Sequence, residues 1–280
     1  MPLDVMAIVL FAAALHAGWN ALVRASAQKF HDTVLIVVGA AVWTACLLPL
    51  APLPAAASWP YLAASVLIHV VYFALVAFTY RGGELSFAYP LMRGSAPALS
   101  AVAAALLLNE SPSPGGWVGV LLISLGVLIL AGDALRAGTF RAAPALFALS
   151  NAGVIVIYTL VDGQGARLSG HAFSYTGWMF LLTAPLLLAV AVARHGPEIF
   201  HHLHQGWRRG LLGGACTLAA YGLALWAMTQ APIALVAALR ETSVVFAAII
   251  AAVFLKEPVT RLRYASAVTV CTGAVAMKLF

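Results

Sequence analysis

An arginine and a glutamate, Arg240 and Glu241, stand side by side within the apolar run APIALVAALRETSVVFAAIIAAVFLKEP. A charge at mid-bilayer is costly unless it faces a wet cavity or an opposite charge, so such residues mark functional sites. Neighbours on a helix point roughly 100° apart, so these two are badly placed to neutralise each other. Arg93 occupies the equivalent place in an earlier apolar run. The expected arrangement sets Glu241 against Arg93 and leaves Arg240 facing a ligand or lipid headgroups; a purely structural ion pair, or snorkelling, would use the same residues. In the first apolar run His16, Trp19 and Asn20 share one helical face by their i, i+3, i+4 spacing. A midspan imidazole can hydrogen-bond a ligand, carry a proton or simply bond a neighbouring helix. Glu241 and His16 are therefore the candidates for a coupling proton. Tyr158 matches Trp19 in the other half, and Asn151 lies deeper on the same run. Aromatics lining a cavity hold organic groups by stacking or cations on the ring face, although helix packing is their commoner role. His69, Tyr72, Tyr89, Tyr221 and Trp226 are further lining candidates, whereas Trp59, Trp117, Trp178 and Trp207 read as interface anchors.

Other chemistries find little support. The stretch HHLHQ, with His201, His202 and His204, lies between apolar runs without acidic or thiol company and reads as a solvated basic loop rather than a metal site. Cys46, Cys216 and Cys271 are scattered without CxxC spacing, which argues against disulfides and zinc. No acidic pair has spacing suited to hydrolysis, and neither a P-loop nor a nucleophile elbow is present. The expectation is a protein without enzymatic activity, cofactor or metal. The net charge of +6 calls for no nucleic acid, because basic loops at anionic headgroups account for it.

These residues need membrane-spanning elements to hold them. With 63% hydrophobic and 9% charged residues among 280, and a mean hydropathy of +0.99, the chain cannot coat a water-soluble globule. Ten apolar runs follow one another, over residues 4–24, 31–50, 59–80, 86–108, 115–132, 143–163, 173–193, 208–229, 233–255 and 261–279. Each reads as a transmembrane helix, since a lone span satisfies its backbone in lipid only by bonding to itself and no two-residue alternation marks a barrel. The connections carry the breakers: APLPAAASWP, NESPSPGG, GDALRAGTF and the longer RHGPEIFHHLHQGWRR. The N-terminal stretch lacks a basic n-region and is too long for a cleaved signal peptide, so it reads as the first span.

Laying LMRGSAPALSAVAAALLLNESPSPGGWVGVLLISLGVLIL over ALRETSVVFAAIIAAVFLKEPVTRLRYASAVTVCTGAVAM matches Arg93 with Arg240, Glu110 with Glu257 and Gly126 with Gly273 at one offset. Two five-helix units follow, residues 1–135 and 140–280. Because five is odd, the second enters the membrane inverted, the plan of many secondary transporters. The fold class is thus an all-α integral membrane protein of ten transmembrane helices in two inverted five-helix repeats.

The unit ending in an apolar helix, then LLLNESPSPGGWVG or VFLKEPVTRLRYAS, then a Gly-bearing last helix, resembles the EamA type of the drug/metabolite transporter superfamily. LHAGWNALVR in the first span and YTLVDGQGAR in the sixth resemble a bacterial subgroup of it. The resemblance covers the whole chain and implies a cavity between the halves, built by spans one, three, four, six, eight and nine. The reading that follows is a secondary transporter in a bacterial-type cytoplasmic membrane, moving a small polar or amphipathic, amino-acid-like metabolite outward by alternating access, with proton exchange or facilitated exchange as the energy source. Uptake of an anionic compound is the rival, since Arg93 and Arg240 outnumber Glu241; a membrane enzyme or channel-like protein finds no feature. Expected partners are the small-molecule cargo and the lipid bilayer. A monomer suffices, although the sequence sets no oligomeric state. Basic residues gather on one side: Arg24, Lys29, Arg81, Arg136, Arg141, Arg194, Arg208, Arg209, Lys256, Arg261 and Arg263, against Arg167 and Lys278 opposite. The positive-inside rule makes the first set cytoplasmic and places both termini outside.

Overall fold

The structure is a computed structural model and describes residues 1–24, 26, 28–81, 85–132, 142–253, 256 and 260–279. It is all-α: α1 (Leu3–Arg24), α2 (Lys29–Leu47), α3 (Trp59–Arg81), α4 (Leu85–Leu107), α5 (Pro114–Ile129), α6 (Ala142–Leu168), α7 (Ala172–His195), α8 (Glu198–Gln230), α9 (Ile233–Arg240), α10 (Ser243–Val253) and α11 (Arg261–Leu279). Because α9 and α10 together form one span, Ile233–Val253, the helices make ten crossings. Seven spans among the described residues are long and apolar enough to cross a membrane. The chain is a multi-pass integral membrane protein. Its outward side chains are those lipid accepts, Leu50, Leu106 and Leu279 among them.

Three elements differ from the sequence reading. The HHLHQ stretch is helical, because α8 begins at Glu198 rather than near residue 208. Glycine at Gly206, Gly210, Gly213 and Gly214 lets this long helix pack closely: a Cβ at Gly39 of α2 would collide with the Gly210 carbonyl, and one at Gly214 with the backbone of Gly39 and Ala40. Span six runs to Leu168, so Asp162 falls inside the helix rather than at its end. Span nine is interrupted at the charged pair. Glu241 N–H donates to the Ala238 carbonyl at 2.9 Å and Thr242 N–H to that of Leu239 at 3.1 Å, three-residue bonds that tighten the backbone. The Thr242 hydroxyl also donates to the Leu239 carbonyl at 2.7 Å, a second bond to the same oxygen that reinforces the tightened turn.

The pairs matched between the two halves acquire physical roles. Gly126 and Gly273 both lie where α5 crosses α11, and a Cβ at Gly273 would press on the Gly119 carbonyl and Ile123 while one at Gly126 would press on Val270. Asn109 (φ 55°) and Lys256 (φ 52°), each at a span's end, are the two non-glycine residues with positive φ among those described. Asn109 supplies the left-handed turn that ends α4, and the Glu110 N–H closes it on the Ala104 carbonyl at 3.1 Å. Glu257, its counterpart, lies outside the described residues, as do Arg136 and Arg141 of the basic loops; the side chains of Arg24 and Arg81 are likewise undescribed.

Helix neighbours also come in matched sets. α1 packs on α8 as α3 packs on α6, α4 on α6 as α9 and α10 on α1, while α2 meets α7 and α5 meets α11. A tenth-span hollow beside Ala267, Cys271 and Val275 is almost wholly apolar and faces outward, where lipid would fill it.

Candidate functional site

Two interruptions place the central charges. Arg93 sits in α4 between Pro90 and Pro97. Pro97 has no N–H to give the Arg93 carbonyl, so the helix is loosened beside the guanidinium. Opposite it, the break between α9 and α10 turns Glu241 inward. Arg93 Nε donates to Glu241 Oε2 at 3.0 Å and Arg93 Nη2 lies 2.7 Å from Oε1, a buried ion pair with side chains 5% and 6% exposed. The pair expected from the sequence therefore forms. Arg240 points elsewhere: its guanidinium carbon is 5.1 Å from the centroid of the Tyr221 ring, a cation on an aromatic face.

Around these charges lies a narrow cleft lined by Arg93, Pro97, Ser100, Tyr158, Arg240 and Glu241 among others. His69 packs against Tyr158 (4.8 Å between ring centroids) and Tyr221 (6.0 Å), and Tyr72 stands edge-on to Tyr158 at 5.7 Å. The Nδ1 of His69 is 2.9 Å from the Ser65 carbonyl, an oxygen that only accepts, so Nδ1 carries the proton and Nε2 faces away from that bond. Tyr89 and Tyr72 pack on the cluster of Met92, Ala96, Ile155 and Tyr158. Asn151, fully buried, donates through Nδ2 to Met92 Sδ at 2.8 Å and leaves Oδ1 without a partner.

His16 feels the charges of Arg93 and Arg240 and meets the Trp19 ring edge-on at 5.3 Å. Trp19 Nε1 is buried and unpartnered, whereas Asn20 turns its amide back to the His16 carbonyl at 2.8 Å. His16 and Trp19 thus approach the central charges while Asn20 bonds its own helix. Trp226 packs against the main hydrophobic core.

The sequence reading missed Asp162 and Tyr175. Asp162 of α6 has no exposed surface; Tyr175 of α7 donates to its Oδ1 at 3.0 Å and Tyr221 of α8 donates to Oδ2 over a short contact. Gly165 makes this possible, since a Cβ there would overlap the Tyr175 ring. The available signal was an acid one helical turn beyond Tyr158 in an apolar run, the argument that singled out Glu241. Ending span six at residue 163 hid it.

Each end of the bundle is tied by a polar contact. On the face reached after spans four, six and eight, Glu110 forms an ion pair with Arg167 and accepts the Ile233 N–H of α9 at 3.2 Å. Arg167 also donates to the Met228 and Ala231 carbonyls at 2.7 and 3.1 Å. On the opposite face the buried Asp32 of α2 meets His202 Nε2 at 2.6 Å and Arg209 at 3.6 Å, both on α8. His31 lies beside both His202 and His195, and through Asp32 the histidine stretch has the acidic company that sequence spacing denied it. No group of three metal-ligating side chains is suitably placed among the described residues.

Residues 143–279 match the EamA-like transporter family. No curated protein sequence is significantly similar to the chain. A crystal structure, titled only as that of a protein, superposes over 98% of this chain and 95% of its own with a TM-score of 0.72 and 17% sequence identity, a likeness of fold.

Proposed function

We propose, from the premise that the chain belongs to the EamA-like transporter family through its second half and is therefore a membrane transport protein rather than an enzyme, that it carries a small amino-acid-like metabolite by alternating access through the cavity between spans four, six and nine. The two halves would act as inverted repeats, a reading supported by the matched helix neighbours and by the two positive-φ positions, Asn109 and Lys256. Export across a bacterial-type cytoplasmic membrane, with Glu241 or His16 taking the coupling proton, completes the proposal.

The observation that carries it is the narrow polar cleft with the buried Arg240 on its wall. Arg93 and Glu241 satisfy each other, while among the described residues no carboxylate lies against Arg240. Its donors can meet a cargo carboxylate, and the surrounding tyrosines supply apolar faces for the rest of a small molecule. The test is counterflow: purified protein in liposomes loaded with unlabelled amino acids should accumulate labelled amino acid from outside, and Arg240→Ala should abolish that accumulation. Equal accumulation by wild type and Arg240→Ala would move the cargo site elsewhere.

A further inference from the structure

Three imidazoles from three helices meet at the end of the bundle opposite Glu110. His31 of α2 stands between the other two, its ring centroid 4.6 Å from that of His195, the last residue of α7, and 5.3 Å from that of His202 in the second turn of α8. The buried Asp32, next to His31 on α2, accepts from His202 Nε2 at 2.6 Å and lies 3.6 Å from Arg209. Transport through the central cleft gives these histidines no role.

An imidazole takes up its proton at about pH 6.5, so the junction titrates within the physiological range. One proton is accommodated: on His202 it meets the Asp32 carboxylate, and on His195 it meets the Phe30 ring, 5.4 Å away between centroids. Charging His31 as well is opposed, because it adjoins both neighbours and like charges this close repel. The surrounding charges offer little relief. Of the acids that His31 faces, Asp32 is already shared by His202 and Arg209, and Glu198 of α8 is exposed, where salt screens it. Lys29 at the start of α2 and Arg194 beside His195 add positive charge, while His201 turns to Gln205 at 2.7 Å and His204 is exposed.

We infer that His31, His195 and His202 form a proton-operated latch on the end of the bundle that Asp32 ties. With His31 neutral, α2, α7 and α8 stay together; with His31 and a neighbour both charged, they are pushed apart and that end of the cleft opens. The closed form therefore holds above the imidazole range and weakens as pH falls through it. On the positive-inside expectation this end is cytoplasmic, so acidification of the cell interior favours access from inside. Such regulation rests on the proposed transport through the cleft.

Full-length protein with Cys46, Cys216 and Cys271 replaced by serine and Ser100→Cys as reporter is placed in lipid nanodiscs and labelled with a maleimide at about pH 7.5 and about pH 6.0, on either side of the imidazole range. Rates are compared between variants at one pH, which cancels the ionisation of the reporter thiol. At the lower pH the reporter protein should label about threefold or more faster than its His31→Gln variant, and at the higher pH the two should match. The His31→Arg/His195→Arg variant, charged at both values, should exceed His31→Gln at both, whereas a role in ring packing alone would make the glutamine and arginine variants alike. The His31→Gln arm decides if the double variant does not fold. A reporter protein that tracks His31→Gln at both pH values, or a folded arginine variant that does so, overturns the latch; where Asp32→Asn or Glu110→Gln is still labelled faster, the cleft stands as a transport path. Labelling that no variant and no pH accelerates overturns both.

Discussion

Removing Arg93 would leave Glu241 buried beside a helix break with no opposite charge in contact, because Arg240 is committed to the Tyr221 face. Breaking a buried pair from one side costs about 3–5 kcal/mol, whereas removing both partners is far milder. Arg93→Met should therefore lower the thermal midpoint of the purified protein sharply, Glu241→Gln should lower it too, and the double variant should recover part of the loss. A double variant no more stable than the worse single would show that the pair contributes nothing. Arg240→Ala should behave differently, weakening cargo binding by about 1.5–3 kcal/mol, the scale of a charge-assisted hydrogen bond, with little change in midpoint. The Arg93–Glu241 pair was legible in the sequence because lipid makes an unmatched charge so costly. Asp162 was not, because its partners are tyrosines. A phenol announces no charge, and Tyr175 and Tyr221 lie on two other helices.

Helix packing is equally testable where α5 crosses α11. Gly273 faces the Gly119 carbonyl and Ile123 closely enough that a side chain must push α5 and α11 apart. Gly273→Val should cost about 1–3 kcal/mol, seen as a lower midpoint, as overpacked sites usually do. Gly153 has nothing within 4 Å of a Cβ position, so Gly153→Ala should be neutral or gain roughly 0.5–1 kcal/mol from helix propensity. If the two variants lose equal stability, close approach of α5 and α11 is not what holds Gly273. The element order was readable from apolar runs and breakers alone. What escaped was where helices persist beyond their apolar stretch: α8 reaches back to Glu198 because its polar first turns pack on α2, and no local hydropathy signal reports a partner elsewhere in the chain. The break between α9 and α10 was hidden for a related reason, since ALRETS contains no proline or glycine and Thr242 caps the interruption through its hydroxyl.

For the whole molecule, the proposed alternating access requires that one end of the central cleft open while the other stays shut. The two polar ties lie on opposite faces, Glu110–Arg167 beyond spans four and six and Asp32–His202 at the starts of spans two and eight, and both are closed in this structure. Each joins helices that must part if its end is to open: Glu110 holds α9 by the Ile233 N–H as well as α6 through Arg167, and Asp32 ties α2 to α8. The positive-inside expectation is that the Glu110 face lies outside the cell. A single cysteine at the cavity wall reports the outcome. With Cys46, Cys216 and Cys271 replaced by serine, Ser100→Cys would be challenged by a membrane-impermeant maleimide added to intact cells or to inside-out vesicles. Glu110→Gln should speed labelling in cells several-fold and leave vesicles unchanged, because it releases the outer tie alone. Asp32→Asn should do the reverse. Faster labelling from both sides in either variant would mean that its tie holds the bundle together rather than guarding one end. Acceleration by Glu110→Gln confined to vesicles would invert the assigned sidedness while keeping both ties as gates.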